Sequence, residues 1–312
     1  MIDGCFIFTS MKKRDTIKRS WVLLRYIERH PYATFKELEA HLSNLDFILS
    51  KRTLQRDFQA LRDTFEVSIE YDSNRRGYYI DKESSFNLDS FMHFLEMAHT
   101  SHVLMENLRA SKNMLNYLSF ESDDITTGSE HLATFLEAVS NGYEVEFTHE
   151  NYFTDKRKAH IIKPMHMREY QNRWYVRGLI ENGDSRTFGL DRIFNPKHTG
   201  KTFDRNLSVD YKQEFSEVVG VNYSESELSE VIIRLTPFQA KYVESLRLHP
   251  SQEVIERMPE FVRVRLRVRP NYELIQKILM LGDGAILEAP EFFVNRLKGV
   301  VNNMAKNYQI EN

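Results

Sequence analysis

Three side chains on one short segment could read DNA. In Ser50-Lys51-Arg52-Thr53-Leu54-Gln55-Arg56-Asp57-Phe58-Gln59-Ala60-Leu61-Arg62, the residues Leu54, Phe58, Leu61 and Phe65 are spaced four, three and four. At helical pitch they fall on one face, and Arg52, Arg56 and Gln59 fall on the other. Arginine can bond guanine with two donors, and glutamine can pair with adenine in the major groove. Ser50 is an N-cap candidate, and Lys51, Thr53 and Gln55 flank the reading face at its N-terminal end. An ordinary solvated helix also carries charge outside, so this helix alone leaves both readings open.

The neighbouring segments narrow the choice. Ile17, Trp21, Leu24 and Ile27 predict a first helix that Pro31 stops. Thr34 and Glu37 form a capping box for a second helix with Phe35, Leu38 and Leu42 inside. After the third helix, Val67–Tyr71 and Gly77–Ile80 alternate as strands around Asp72-Ser73-Asn74-Arg75-Arg76-Gly77. Three helices followed by a basic hairpin is the winged helix-turn-helix order. Arg75 and Arg76 at the tip are placed to reach phosphates or the minor groove. Residues 11–80 hold 14 Lys and Arg against 10 Asp and Glu, while residues 81–312 hold 28 against 34. The basic end is the end with the DNA-binding pattern, as phosphate contact requires.

Composition is that of an ordinary globular protein: 41% hydrophobic and 28% charged over 312 residues, enough for two or three domains. No apolar run is long enough for a transmembrane helix, so no membrane partner is expected. The single Cys5 cannot form an internal disulfide, which fits a reducing cytoplasm, and a nucleoid-associated one if DNA is the partner. Residues 1–10 read as a leader that need not be native, with Met11 as an alternative start. No Gly-x-Ser-x-Gly elbow, Walker loop, Rossmann fingerprint or Cys-x-x-Cys occurs, so neither an enzyme nor a cofactor is expected.

From Phe86 to about Leu118 the sequence predicts a helix with Leu88, Phe91, Leu95, Ala98, His102 and Met105 as a stripe. It reads as a connector, packed on the body or on a second copy in a homodimer. His93, Glu96, His99 and His102 recur every third residue, but that step rotates them around the helix, so no metal site is expected. Residues 119–130 read as a loop, and His131–Ser140 as a short helix. Short strands follow at Glu144–Thr148, Ala159–Pro164, Arg173–Leu179 and Thr187–Ile193, a small and strongly bent antiparallel sheet.

Two motifs here carry a resemblance. Asn172-Arg173-Trp174-Tyr175-Val176-Arg177-Gly178 resembles the signature of WYL domains, with Val176 for the usual leucine. Arg186-Thr187-Phe188-Gly189-Leu190-Asp191-Arg192-Ile193 is similar to the second family motif, and Pro164 occupies the family's proline. The resemblance spans residues 14–312. It implies bacterial transcription regulators, some tied to phage defence or DNA damage. It also implies an Sm-like or SH3-like sheet with a basic pocket for a nucleotide or nucleic-acid effector. By motif position Tyr175, Arg186 and Arg192 carry over as effector-binding residues. His149 and Tyr152 join them where the first strand departs from the family pattern. An anionic ligand suits arginine forks, and an aromatic ring can stack a base. Simple alternation puts Arg186 and Arg192 beside Phe188 and Leu190, so the strand must bend or only one arginine faces the pocket.

Phe203–Ser229 reads as a linker with one helix near Val209–Phe215. The order βαββαβ plus a final helix then predicts a ferredoxin-like unit, similar to the extension that follows WYL domains. Arg263, Arg265, Arg267 and Arg269 alternate with Val264, Leu266 and Val268. They form either a solvated face or a ladder facing an effector or a partner subunit. The expected organisation is therefore α+β: residues 12–82 a winged helix-turn-helix, 83–140 a helical linker, 141–205 the sensor sheet, 206–228 a linker and 229–312 the ferredoxin-like unit. The expected function is a homodimeric, ligand-responsive repressor on a double-stranded operator. The competing expectation is a nucleic-acid-sensing module, or an activator, without operator repression.

Overall fold

A computed structural model describes residues 11–85, 88–110, 128–204, 211–223 and 226–308, with side chains from residue 18 and to residue 106 in the first unit. It is a mixed α/β chain with antiparallel sheets, divided into two compact units, residues 1–121 and 122–312.

The first unit runs α1 (Met11–Arg29), α2 (Phe35–Ser43), α3 (Lys51–Phe65), β1 (Ser68–Asp72), β2 (Gly77–Asp81) and α4 (Leu88–Ala110). Thr34 caps α2 with the full reciprocal box, and Ser50 caps α3 by accepting from Thr53 N. Leu23, Leu24, Ile27, Leu38, Leu42, Leu54, Phe58 and Leu61 make one core. The predicted stripe of α4 splits. Leu88, Phe91 and Leu95 are buried in that same core, whereas Met105 is 52% exposed. The rest of the predicted helix, 86–87 and 111–118, lies outside the described residues, as do residues 119–127 of the predicted loop.

The hairpin is docked on the turn between α1 and α2. Tyr32 N donates to Tyr78 O and Tyr78 N to Ala33 O, both at 2.8 Å. A Cβ on Gly77 would stand 1.8 Å from the Tyr32 carbonyl oxygen, so only glycine permits this approach.

In the second unit a 3-10 turn (Ser129–His131) and α5 (Leu132–Asn141) precede five strands: β3 (Tyr143–Asn151), β4 (Lys156–Tyr170), β5 (Arg173–Ile180), β6 (Ser185–Gly189) and β7 (Ile193–Thr202). Their order is β6-β5-β4-β3-β7, all antiparallel. The single strand expected over Thr187–Ile193 is in fact two strands broken by a 3-10 turn at Leu190–Arg192. Strand β7 was hidden in the sequence by Pro196 and Gly200. Pro196 is tolerated because β7 is an edge strand. The turn joins opposite edges of the sheet. Four strand spacings of a flat sheet would be about 19 Å, but four residues span at most about 14 Å. The sheet must therefore curl. Val145, Phe147, Ile162, Val176, Phe188, Leu190 and Ile193 fill its inside against Phe135 and Ala138 of α5.

α6 (Tyr211–Ser216) packs on the outer face. Arg177, only 7% exposed, pairs with Glu214 at 2.9 Å, and Arg168 Nη1 donates to Phe215 O at 2.7 Å. Next come β8 (Ser229–Leu235), α7 (Pro237–Ser245), β9 (Glu253–Arg257), β10 (Val262–Val268), α8 (Tyr272–Leu279), β11 (Ala285–Ala289) and α9 (Glu291–Asn307). The sheet order is β11-β8-β10-β9. The arginine ladder is largely ion-paired within the fold. Flanking carboxylates neutralise three of its four members. Arg263 pairs with Glu256 and Glu288, Arg265 with Glu230 and Glu253, and Arg269 with Glu217.

Candidate nucleic-acid interface and effector site

On α3, Leu54, Phe58 and Leu61 are buried, and Lys51, Arg52, Gln55, Arg56 and Gln59 are exposed. The Ser50 hydroxyl also meets Thr53 Oγ1 at 2.9 Å, which fixes the helix start. Arg52 takes part in no ion pair among the described residues. Gln59 Nε2 is engaged by Asp63 at 2.7 Å, so it must release that partner to read a base. Lys51 Nζ lies 5.8 Å from the centre of the Phe35 ring, which biases it toward α2. At the hairpin tip, Asp72 Oδ1 accepts from the backbone of Asn74 and Arg75. The Arg75 guanidinium stacks on Tyr32 at 4.1 Å, while Arg76 is exposed.

Sequence reasoning missed Asp57. Its side chain is 3% exposed and takes two hydrogen bonds from Arg19, at 2.6 and 3.0 Å. This buried pair ties α3 to α1. A charge at an apolar-face position of an amphipathic helix was the available signal.

The effector candidates gather around Arg192. The turn at Leu190–Arg192 is clamped by Gly128, whose Cβ would stand 2.4 Å from Asp191 N, and by His131 Nε2, 3.0 Å from Ile193 O. Because β7 starts opposite His149, the turn delivers Arg192 to that histidine. The Arg192 guanidinium covers the Tyr152 ring at 5.0 Å. Burial, with Arg192 next, pulls the His149 pKa down to about 4, so its ring is neutral at pH 7. The buried His149 Nε2 has no hydrogen-bond partner among the described residues. Gly189 leaves room for both Asp191 and Arg192, since a Cβ there would stand 2.4 Å from Asp191 Oδ1.

Arg186 sits elsewhere on the same inner face. It follows the side of Phe188, which packs on both His149 and His160 at 5.0 Å. Burial, then Lys158 and Arg186, lower the His160 pKa. Tyr175 lies on the outer side of β5, opposite Arg168 and Gly189. Burial and the Asp191 charge raise its pKa. Arg192, His149 and Tyr152 are thus one cluster. Arg186 is a second cation on the same face, and Tyr175 approaches from the other side through Asp191. Trp174 is half-buried against the core.

Residues 130–197 match the family model for the WYL domain. The chain contains a WYL domain. The matched stretch runs from the 3-10 turn before α5 into β7, so the Arg192 cluster lies inside the WYL domain. No curated protein matches the chain. Among solved structures, proteasome accessory factor B/C of Arthrobacter aurescens is 16% identical, over 91% of this chain and 45% of that one, with a TM-score of 0.32. This chain therefore spans less than half of that protein. A CRISPR Cas-related protein is 11% identical, over 96% of this chain and 87% of that one, with a TM-score of 0.37.

A groove of about 390 Å³ lies apart from this cluster, lined in part by Glu146, Thr148, Ala159, Ile161, Asn195 and Lys197. Its Lys197 is already paired with Glu146 at 2.7 Å, so it offers an anion little. Among the described residues no three His, Cys, Asp or Glu side chains gather as metal ligands. His99 instead stacks on Trp21 at 4.1 Å. No helix of the described residues is long and apolar enough to cross a membrane.

Proposed function

We propose that this chain is a non-catalytic, ligand-responsive transcription regulator that binds an operator as a homodimer. One observation carries the reading: α3 buries Leu54, Phe58 and Leu61 and turns Lys51, Arg52, Gln55 and Arg56 outward beside a hairpin tipped by Arg75 and Arg76. In this reading residues 12–82 form a winged helix-turn-helix and α3 enters the major groove. The curled five-stranded sheet is an Sm-like or SH3-like WYL sensor. The order β11-β8-β10-β9 is a ferredoxin-like extension. The effector is an anionic nucleotide or nucleic acid held by Arg186, Arg192, His149, Tyr152 and Tyr175, and its binding relieves repression.

Salt-dependent gel shifts on the upstream promoter test the reading. The promoter binds more tightly than a random duplex at every salt concentration. Equal affinity for both defeats operator recognition and leaves a nucleic-acid-sensing module. Arg186→Ala combined with Arg192→Ala abolishes the effector response and keeps promoter binding. A fully responsive double variant removes these arginines from the site. Sedimentation at micromolar concentration gives a dimer, and a strict monomer contradicts a two-half-site operator.

A further inference from the structure

We propose that Ile48, in the turn that leads into α3, recognises the methyl group of a thymine in the major groove. The inference rests on the operator reading above and deepens it, from a duplex of specific sequence to a half-site with thymine at one named contact.

The turn is built to push this side chain out. Leu45 N donates to Leu42 O at 3.0 Å, Asp46 N to Ser43 O at 3.1 Å and Phe47 N to Leu42 O at 3.0 Å. Asp46, at φ 63°, redirects the chain after α2. Residues 47–50 then run without helix or strand to Ser50, whose backbone is extended. Successive side chains of an extended segment point to opposite sides. Leu49 is buried in the core of the first unit, and Phe47 packs at the margin of that core. Ile48, between them, is 93% exposed, whereas no other large apolar side chain described in the first unit exceeds 53%. Two inward neighbours and a capped helix start therefore hold an isoleucine in solvent, where folding gains nothing from it.

The surroundings define what it meets. Ile48 stands at the N-terminal end of the helix that turns Lys51, Arg52, Gln55 and Arg56 outward. Lys18 Nζ lies 5.7 Å from the centre of the Phe47 ring, so a cation suited to phosphate flanks the same turn. In the major groove the base edges offer hydrogen-bond donors and acceptors, and the C5 methyl of thymine is the apolar group among them. An isoleucine carried outward beside a cationic reading face finds its match in that methyl. Against a polar base edge it would strip water and return no hydrogen bond. The four residues from Ile48 to Arg52 span at most about 14 Å, well under the roughly 34 Å between half-sites. The thymine therefore lies in the same half-site as the base that Arg52 reads.

The test is a uracil scan of the upstream promoter with the full chain. Each thymine of the footprinted duplex is replaced in turn by deoxyuridine, which removes only the methyl group. Fluorescence anisotropy reads the affinity of the parent and of Ile48→Ala. One replacement per half-site weakens the parent about fourfold, the worth of one buried methyl-sized group. The same replacement leaves Ile48→Ala unchanged, because the two changes remove one contact. Ile48→Ala binds the unmodified promoter at least about tenfold more weakly than the parent, since both half-sites lose the contact. Its urea unfolding matches the parent, as an exposed side chain adds little to the fold. The thymine proposal falls if Ile48→Ala binds the promoter as the parent does. Loss of transcriptional response with that affinity intact overturns it too, and assigns Ile48 to a protein partner. It also falls if every uracil replacement affects parent and variant equally. Equal affinity of the parent for promoter and random duplex instead removes operator recognition itself, and this inference goes with it.

Discussion

Asp191 Oδ2 accepts a hydrogen bond from Arg173 Nη1 at 3.1 Å. The same carboxylate, 4% exposed, brings its Oδ1 to 3.8 Å from Arg192 Nε. It lies between two cations, one from the start of β5 and one from the 3-10 turn. Asp191→Asn keeps the shape but turns an amide toward arginine donors. We expect anion affinity, read with labelled thymidine monophosphate, to fall about tenfold. The effect is non-additive with Arg192→Ala, with a coupling of about 0.5–3 kcal/mol. Strict additivity would mean that Asp191 does not position Arg192.

Arg52→Ala and Arg56→Ala each cost promoter binding about 1–3 kcal/mol, the worth of one bidentate base contact. Both side chains are exposed, so unfolding free energies stay within about 0.5 kcal/mol of the parent. Gel shifts and urea titrations read the two quantities separately. Unchanged binding in both variants places the reading face elsewhere.

Asp57→Ala acts in the opposite way. It leaves Arg19, whose side chain is 11% exposed, without its partner. Breaking a buried pair costs about 3–5 kcal/mol. Urea unfolding of the first unit should show that loss, and a neutral result would mean that water reaches Arg19.

Gly77→Ala drives a methyl group into the Tyr32 carbonyl and must undock the hairpin. Backbone strain of this kind costs about 1–3 kcal/mol or more. Promoter affinity falls with it, because Arg75 and Arg76 lose their fixed place. Retained affinity would show that the hairpin does not touch DNA.

His249 is 5% exposed, and burial holds its pKa at about 4, below the ordinary 6.5. The unfolded chain therefore binds the proton more readily between those values. Stability from this group is fully present above pH 6.5 and is lost as pH falls toward 4. The slope is at most about 1.4 kcal/mol per pH unit. Urea titrations of the second unit from pH 7 to 5 measure it, and His249→Gln flattens the dependence. An equal slope in that variant assigns the effect to other groups, His149 first among them.

The head was legible from sequence because its signals are local. Capping residues, a three-four apolar stripe and a turn-rich hairpin each lie within one element, and Ser50, Thr34 and Leu54 could be placed from spacing alone. The two WYL motifs were legible for the same reason. The joins between elements were not. Asp57 looked like one more surface charge until α1 brought Arg19 to it. The alternation of Arg186, Phe188, Leu190 and Arg192 suggested one strand, because the period says nothing of where a chain breaks. Tertiary structure decided that it breaks at Leu190, that β7 crosses to the far edge beside β3, and that Arg192 consequently meets His149 and Tyr152. The arginine ladder was decided in the same way: its carboxylate partners stand on other elements, out of reach of any local pattern. Residue types and local periods are properties of the sequence, whereas charge pairing and strand order depend on which distant segments the curled sheet and packed helices bring together.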